Sequence, residues 1–342
     1  MRNFSIAIGF LIALLFAVSC SSKKNDTPNL APTNLVINAT PAQDSSGNVT
    51  FNATATNAAT YIFNFGNGNI QTLSTGLITY KYSYSGNYSV NVTAKNTSGE
   101  SISSGTQVTV TKSAKLLWSD EFNTDGAPDP TKWGYDTGAG GWGNNELENY
   151  TTRSDNSFVQ GGYLNIVLKK ESYNGSSYTS ARLLTKGKFS FNYGHVDIRA
   201  MLPAGLGTWP ALWMLGSDID INPWPGCGEM DIMEQRGSEL NKIYGTLHYP
   251  GHSGANGNGS TTLIQNSTTQ FHIYSLDWDV NFVKISVDGQ VFQTVPNNST
   301  LPFFSGNFFF IFNIAMGGDF GGSVDPSFTS ATMLVDYVRV YQ

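Results

Sequence analysis

Three carboxylates lie close together in the stretch Gly228-Glu229-Met230-Asp231-Ile232-Met233-Glu234. Its first residues alternate between polar and apolar, which is the period of a β-strand with one wet face and one buried face. Neighbouring carboxylates repel one another and raise each other's pKa values, so an ordinary surface strand gains little from them. Glycoside hydrolysis requires two carboxyl groups, one that attacks or stabilises the sugar carbon and one that protonates the leaving oxygen. A solvated strand face is the alternative, because acid clusters mark active sites only statistically.

The spacing of Glu229 and Glu234 sets a geometric requirement. Residues five apart point to opposite faces of a regular strand. One extra residue, a β-bulge, returns Glu234 to the face of Glu229 and Asp231, and we predict this bulge at or near Ile232-Met233. The two glutamate Cα atoms would then lie about 13 Å apart along the strand. Inward-leaning side chains would bring their carboxyls toward the roughly 5–5.5 Å of a retaining pair.

Aromatic side chains flank the acidic stretch. Trp209, Trp213 and Trp224 precede it and His248 follows it. Indole rings suit the C–H faces of sugar rings, so we predict all three tryptophans as sugar platforms, Trp224 the weakest of them. Burial in the core is the alternative for Trp213. We expect His248 to form hydrogen bonds in a cleft, because its spacing to His252 fits no zinc motif.

The elements that must position these residues are predicted to be strands. No stretch keeps a helical period, and turns rich in glycine and proline separate alternating runs. An all-β fold follows. The predicted strands are 49–56, 61–65, 88–94, 107–111, 163–169, 188–201, 271–278, 282–287, 307–315 and 333–341.

Five ordered segments carry a resemblance to a known family. Glu229-Met230-Asp231-Ile232-Met233-Glu234 resembles the active-site motif of glycoside hydrolase family 16 in its bulged form. The segment 141–148, Gly-Trp-Gly-Asn-Asn-Glu-Leu-Glu, is similar to one found in the laminarinases of that family, the endo-β-1,3-glucanases. The other matches are 178–182, 207–215 and 336–341.

The resemblance implies a jelly-roll β-sandwich and a retaining endo-β-1,3-glucanase. Glu229 would be the nucleophile, Glu234 the general acid and then base, and Asp231 would hydrogen-bond the nucleophile and help keep Glu234 protonated. Asn145 and Arg182 would bind substrate in the cleft. Other family 16 specificities, namely mixed-linkage β-glucan, agar or carrageenan, stay open. So does a non-catalytic glycan-binding surface protein, although the intact acids argue against it.

The same resemblance implies a structural calcium ion. Asp336 would provide a carboxylate ligand, and backbone oxygens near Glu121 and Gly162 would complete the site. Calcium prefers oxygen ligands of these kinds. No cofactor is expected for catalysis, and the enzyme is expected to be a monomer.

Composition agrees with a secreted all-β protein. The 342 residues include 36 glycines, 13% aromatic residues and only 13% charged residues, with a formal net charge of −6. A negative charge argues against a nucleic-acid partner.

The start of the chain resembles a bacterial lipoprotein signal. Residues 1–19 contain Arg2 and then an apolar run that is too short to span a bilayer. Ala17-Val18-Ser19-Cys20 resembles a lipobox, which implies lipid attachment at Cys20 and an outer-membrane location, on the surface or the periplasmic face. Residues 20–30 are predicted to be a polar tether. Cys227 is then the only other cysteine, and we expect a small buried apolar side chain rather than a reactive thiol.

Residues 31–112 differ from the rest, since all seven tryptophans lie after residue 116. Tyr61-Ile62-Phe63-Asn64-Phe65-Gly66-Asn67-Gly68 resembles a PKD domain, which is immunoglobulin-like. The acidic positions of that family are occupied by Asn64 and Asn67, which argues against metal binding there. A spacer function is favoured over carbohydrate binding. The catalytic domain is predicted over residues 116–342.

Overall fold

The computed structural model describes residues 30–82 and 85–342. The predicted signal segment, the lipid-attachment residue Cys20 and all of the tether before residue 30 lie outside the described residues. Within the described part, no helix has the length and apolar character needed to cross a bilayer.

Seven strands form an N-terminal β-sandwich with its own core. One sheet has the order β1-β2-β5 and the other β4-β3-β6-β7. Phe51, Phe63, Phe65 and Tyr82 are fully buried between them. The strands are β1 (Thr33–Pro41), β2 (Asn48–Thr56), β3 (Thr60–Asn64), β4 (Ile70–Leu73), β5 (Leu77–Lys81), β6 (Gly86–Lys95) and β7 (Ser101–Val110).

The remaining strands form a second, larger sandwich of two sheets. They are β8 (Leu116–Asp120), β9 (Gly134–Asp136), β10 (Glu148–Tyr150), β11 (Ser157–Gln160), β12 (Tyr163–Tyr173), β13 (Ser176–Ser180), β14 (Arg182–Leu184), β15 (Gly194–Met201), β16 (Thr208–Gly216), β17 (Glu229–Glu234), β18 (Lys242–His248), β19 (Asn258–Leu263), β20 (His272–Trp278), β21 (Phe282–Val287), β22 (Gln290–Pro296), β23 (Phe308–Met316) and β24 (Ser330–Tyr341). The other regular elements among the described residues are one four-residue helix, α1 (Gly318–Gly321), and short 3₁₀ turns at Gly141–Gly143, Gly254–Asn256 and Pro302–Phe304.

The two sheets of the larger sandwich differ in their strand order, and one of them contains the acidic strand. The outer sheet follows the order β10-β13-β12-β24-β15-β20-β21-β22, with β11 paired to β12 and β8 paired to β24. The catalytic sheet has the order β19-β18-β17-β16-β23-β14-β9 and contains the acidic strand β17. The predicted all-β jelly-roll class, preceded by an immunoglobulin-like sandwich, is confirmed.

Alternation along the catalytic sheet separates its two faces. Leu212 and Met214 of β16, and Phe310 and Phe312 of β23, are fully buried in the core between the sheets. The intervening residues point the other way, as the period of a strand requires. Trp213, which lies between Leu212 and Met214, is therefore half-buried on the outward face rather than in the main core.

One strand begins later in the structure than the sequence predicts. The run 188–201 was expected to be continuous, yet β15 starts only at Gly194. Tyr193 has a φ of 62°, which is unfavourable for a non-glycine residue and ends an extended run. Phe191 forms only an isolated bridge to Phe308. The alternating aromatic residues of this stretch therefore line the core from an irregular segment.

Candidate active site

The acidic strand contains the predicted bulge. Leu212 of β16 pairs with Met233, and the next residue of β16, Trp213, pairs with Asp231, so Ile232 is the extra residue. On the other side, Ile232 and Met233 together oppose Gly245 of β18. Both bulge residues are fully buried. The bulge therefore returns Glu234 to the outward face, and the prediction from its spacing is confirmed.

Cross-strand pairing arranges the site in rows that run across the sheet. In one row Glu234 pairs with Ala211, Ala211 with Asn313, Asn313 with Arg182, and Arg182 with Asp136. A parallel row joins Thr246, Asp231, Trp213, Ile311 and Leu184. The outward face of the catalytic sheet therefore presents the acids at β17 and, in the direction of β9, polar and aromatic side chains together with a small apolar cluster that includes Ile311 and Leu184.

His248 contacts two of the three acids. Its Nε2 lies 3.2 Å from Oδ2 of Asp231 and 3.7 Å from Oε1 of Glu229. Gly257 packs against the ring, and a Cβ there would lie 2.5 Å from Cε1 of His248. A side chain at position 257 would therefore displace the His248 ring. His248 therefore lies beside the acids, but its Nδ1 is buried without a hydrogen-bond partner among the described residues, so the predicted hydrogen bonds stay a prediction.

Burial perturbs all three acids. It raises the pKa of Glu229 well above its usual range, and the charge of Asp231 adds to the rise, whereas His248 and Arg182 oppose it. The pKa of Asp231 is also raised well above its usual range by burial and by Glu234. Burial raises the pKa of Glu234, and the hydrogen bond from Trp209 opposes the rise. Three neighbouring carboxyls in one buried site cannot all ionise near neutral pH, which suits a site that needs both an acid and an anion.

Trp209 reaches the acids directly. Its indole Nε1–H donates to Oε1 of Glu234 at 2.7 Å, and its ring lies 5.2 Å from that of Phe320. A residue predicted as a sugar platform is thus also a hydrogen-bond donor to a catalytic candidate. Sequence reasoning missed this second role because β16 and β17 meet only in the folded sheet.

Arg182 lies between two indole rings. Its guanidinium carbon is 4.8 Å from the ring centroids of both Trp142 and Trp213, and its Nε donates to Oδ2 of Asp136 at 3.1 Å. Trp213 in turn donates from Nε1 to Oδ1 of Asn313 at 2.8 Å. The predicted cleft position of Arg182 agrees with this arrangement, and Trp142 joins the set.

Asn313 was not predicted, although the sequence contains a signal for it. It is the only polar residue in the apolar strand Phe308–Met316, and it is buried. Buried amides require hydrogen-bond partners, and Asn313 accepts from Trp213 and donates to the Tyr150 hydroxyl at 2.9 Å. An isolated amide in such a strand predicts a polar contact on the sheet surface.

The glycine-rich loop before β10 contains a buried carboxyl pair. The Tyr150 hydroxyl donates to Oε2 of Glu146 at 3.0 Å, and Oε2 of Glu148 accepts the backbone N–H of Met316 at 2.6 Å. Burial, followed by the hydrogen bond and charge of Glu146, raises the pKa of Glu148 well above its usual range. Asn145, predicted to bind substrate, is exposed and donates from Nδ2 to Oδ1 of Asp319 at 2.9 Å.

Two further predicted residues lie at the opposite end of the site. Trp224 is 42% exposed, and its ring centroid is 5.9 Å from that of His248. The exposed indole beside a cleft histidine suits the predicted platform. Cys227 is buried, and burial raises the pKa of its thiol to about 11. A thiol of this kind is inert, as expected.

Two groups of residues could hold a metal ion. Glu229, Asp231 and His248 place one ligand atom each within 4.8 Å of one another, although they belong to the acidic site itself. On the outer sheet, Asp336 is the extra residue of a bulge in β24, and its carboxylate contacts Arg199.

Strand pairing brings the predicted calcium residues together. Leu164 pairs with Val335 just after Gly162, and Asp120 pairs with Val338 just before Glu121. Two of the three strands that pair with β24, namely β12 and β8, therefore approach Asp336. The Glu121 carboxylate itself forms an ion pair with Arg339, with Oε2 2.7 Å from Nη2. The Asp336 carboxylate likewise contacts Arg199, and the backbone oxygens predicted there are ligands of the kind that calcium prefers.

A two-sheet sandwich with paired carboxylates and indole rings on one sheet face defines a glycoside hydrolase. The comparisons with known proteins identify the group. Residues 144–339 match the family described as glycosyl hydrolases family 16, and residues 34–110 match the PKD domain. The chain belongs to glycosyl hydrolases family 16.

Individual relatives agree with this assignment. The beta-glucanase of Rhodothermus marinus is 43% identical over 243 residues, which cover 67% of this chain and 85% of the relative. The X-ray structure of the laminarinase from Rhodothermus marinus has a TM-score of 0.64 at 43% identity and covers 67% of this chain and 98% of that one. The laminarinase catalytic domain from Thermotoga maritima has a TM-score of 0.63 at 40% identity, covering 68% and 99%.

Proposed function

We propose that the protein is a retaining endo-β-1,3-glucanase that hydrolyses laminarin-type polysaccharide. The observation that carries the proposal is the bulge at Ile232, because it places Glu229, Asp231 and Glu234 on one face of the catalytic sheet. Two relatives that match nearly their whole length to this chain are laminarinases, which supports β-1,3-glucan as the substrate.

The mechanism follows from the environments of the acids. Glu229 is the most exposed of the three, and His248 and Arg182 both favour its ionised form. It attacks the anomeric carbon while Glu234 donates its proton to the leaving glycosidic oxygen, which breaks the bond and leaves a glycosyl–enzyme ester. Glu234, now a carboxylate, takes a proton from water, and that water cleaves the ester with net retention of configuration.

Asp231 and Trp209 support this cycle. Asp231 lies on the same face as Glu229, and its role in the proposal is to hydrogen-bond the nucleophile and help keep Glu234 protonated. Loss of negative charge at Glu229 upon ester formation relieves repulsion along the strand. The Trp209 donor holds Glu234 in one orientation and stabilises the carboxylate that forms when it releases its proton.

A pair of variants tests the assignment. Glu229→Ala should abolish turnover of laminarin and of activated aryl glucosides, because no covalent intermediate forms. Glu234→Ala should lose far more activity on laminarin than on aryl glucosides with good leaving groups, because those need no proton. Glu239→Gln, a nearby half-exposed carboxylate outside the site, is the control and should retain activity on both substrates.

Product analysis tests the specificity. Proton NMR of early products should show the β-anomer, and viscosity of laminarin-type glucan should fall before much reducing sugar appears. Parallel assays on mixed-linkage β-glucan, agar and carrageenan define the alternatives. Binding of glucan without any turnover would replace the proposal with a glycan-binding protein.

Three accessory features complete the proposal. The enzyme is proposed to act as a monomer. It is a cell-envelope lipoprotein anchored through Cys20, with the N-terminal sandwich as a spacer.

A calcium ion at Asp336 stabilises the outer sheet. Chelation should then lower the melting temperature of the wild type but not of Asp336→Asn.

A further inference from the structure

A polar hollow lies beyond the last strand of the catalytic sheet. Its volume is about 270 Å³, and Thr137, Gly138, Asn149, Thr152, Arg153 and Tyr173 line most of it. We call it the distal hollow. Thr137 and Gly138 follow directly after β9, the edge strand of the catalytic sheet.

A continuous series of contacts joins the acidic site to the distal hollow. Trp213 of β16 lies against Arg182, and Arg182 lies against Trp142. The Trp142 indole donates from Nε1 to the backbone oxygen of Gly138 at 3.2 Å, and Gly138 lines the hollow. The row of paired residues from Glu234 through Asn313 and Arg182 ends at Asp136, immediately before the hollow.

The strand order gives the distance between the acidic strand β17 and the edge strand β9, beside which the distal hollow lies. β17 and β9 are separated by β16, β23 and β14, so four inter-strand steps place them roughly 19 Å apart. A glucan chain that crosses the sheet along this row would therefore reach the distal hollow several sugar residues away from the scissile bond.

The polar groups of the distal hollow are available to a ligand. The Asn149 side chain is buried, and its amide forms no side-chain hydrogen bond within residues 30–82 and 85–342. Nε of Arg153 is also buried without a partner in that part of the chain. A buried donor without a partner, such as Nε of Arg153, is costly, and a ligand in the hollow would also hydrogen-bond the Asn149 amide.

The charge and shape of the distal hollow favour a neutral sugar. The Arg153 guanidinium contacts the Glu171 carboxylate, which offsets its charge, so an anionic ligand gains little there. The same guanidinium lies 4.6 Å from the centroid of the Tyr173 ring, which holds it beside an aromatic surface. Amide, guanidinium and aromatic groups together recognise the hydroxyls and C–H faces of a sugar ring.

We propose that the distal hollow is a remote subsite that binds a glucosyl residue of the same polysaccharide chain as the active site. The inference rests on the proposed glucanase function and adds a chain-length preference to it. Enzymes use binding energy from remote parts of a substrate to raise the rate at the reacting bond. The kcat/KM should therefore increase at the chain length at which the glucan first reaches the distal hollow, and this increase should depend on the residues of the hollow.

Two variants test the distal hollow. Tyr173→Ala removes the aromatic surface, and Thr152→Leu fills the hollow from an exposed position with a side chain that forms no hydrogen bond. Thr109→Leu, at an exposed position of the N-terminal sandwich, is the matched control. Each protein is assayed on β-1,3-gluco-oligosaccharides that increase in length by one glucose residue, and its melting temperature confirms that it is folded.

The expected result is selective. For the wild type and Thr109→Leu, kcat/KM should rise stepwise once the oligosaccharide is long enough to enter the hollow. Both hollow variants should lose that step, by about fivefold to tenfold, the equivalent of one or two net hydrogen bonds. Their loss on the shortest substrates should be much smaller.

Two results would overturn the inference. Equal losses on short and long substrates would mean that the variants disturb the fold or the acidic site. A full chain-length step in both variants would mean that the hollow binds no sugar. The same step is measured by calorimetry with Glu229→Ala protein, which needs no turnover. Failure of the wild type to cleave any oligosaccharide would count against the glucanase function, and calorimetry would still decide the subsite.

Discussion

The hydrogen bond between Trp209 and Glu234 makes a quantitative prediction about pH. The Nε1–H of Trp209 donates to Oε1 of Glu234 at 2.7 Å, a short distance for an N–H donor and a carboxylate. This bond stabilises the ionised form of Glu234 and opposes the rise in its pKa that burial causes. The substitution Trp209→Phe removes the donor and preserves most of the apolar ring.

The magnitude follows from the strength of such bonds. A hydrogen bond to a charged group contributes about 1.5–3 kcal/mol, and one pKa unit corresponds to about 1.4 kcal/mol. Loss of the donor should therefore raise the pKa of Glu234 by about one to two units. A general acid must be protonated to act, so activity should persist to a higher pH in the variant.

The assay is the pH dependence of kcat/KM on laminarin, which reports the free enzyme. The alkaline limb of the Trp209→Phe profile should move upward by about one unit or more. Trp213→Phe is the matched control, because Trp213 lies on the same face of the same strand but donates to Asn313 at 2.8 Å. It should reduce kcat/KM and leave the alkaline limb in place.

Two outcomes would refute this reasoning. An alkaline limb that stays in place in Trp209→Phe would show that Glu234 is not the acid that sets it. Equal shifts in both variants would show that a general loss of indole rings, rather than one hydrogen bond, controls the proton. Because the three acids interact, the measured pKa describes the set, and the comparison of variants is what assigns it.

Three further predictions concern stability and location. Glu148 should be protonated in the folded protein, because burial raises its pKa well above 4.5. In urea unfolding, Glu148→Gln should therefore lower the free energy of unfolding by less than about 1 kcal/mol, and Glu148→Ala by about 2–5 kcal/mol. The stability of the Gln variant relative to wild type should increase as pH rises above 4.5, because only the unfolded wild type then loses that proton. Burial disfavours charge on His195, yet Asp197 and Asp277 raise its pKa from 6.5 to about 10. Its stabilising effect should therefore be complete below pH 6.5 and disappear as pH rises through about 10. The melting temperature of His195→Gln should converge with that of the wild type at alkaline pH, and a constant difference would contradict the ion pairs. Cys20→Ala should release an active enzyme from membranes, and retention of that variant in the membrane fraction would contradict lipid anchoring.

Much of the protein is determined by local sequence patterns. Alternation of polar and apolar residues predicts strands because side chains in a strand point to opposite faces with a period of two. The same rule turns the five-residue spacing of Glu229 and Glu234 into a requirement for a bulge, which the structure contains at Ile232. The family resemblance rests on such short segments, so the fold class and the three acids were predictable.

The tertiary structure decided which strands became neighbours. Trp213 and Asn313 are 100 residues apart, and they meet because β16 lies beside β23. The contact of Trp209 with Glu234, the position of Arg182 between two indole rings, and the distal hollow beyond β9 all depend on the same strand order. That order results from packing two whole sheets around one core, a non-local balance of burial and hydrogen bonding that no single stretch encodes.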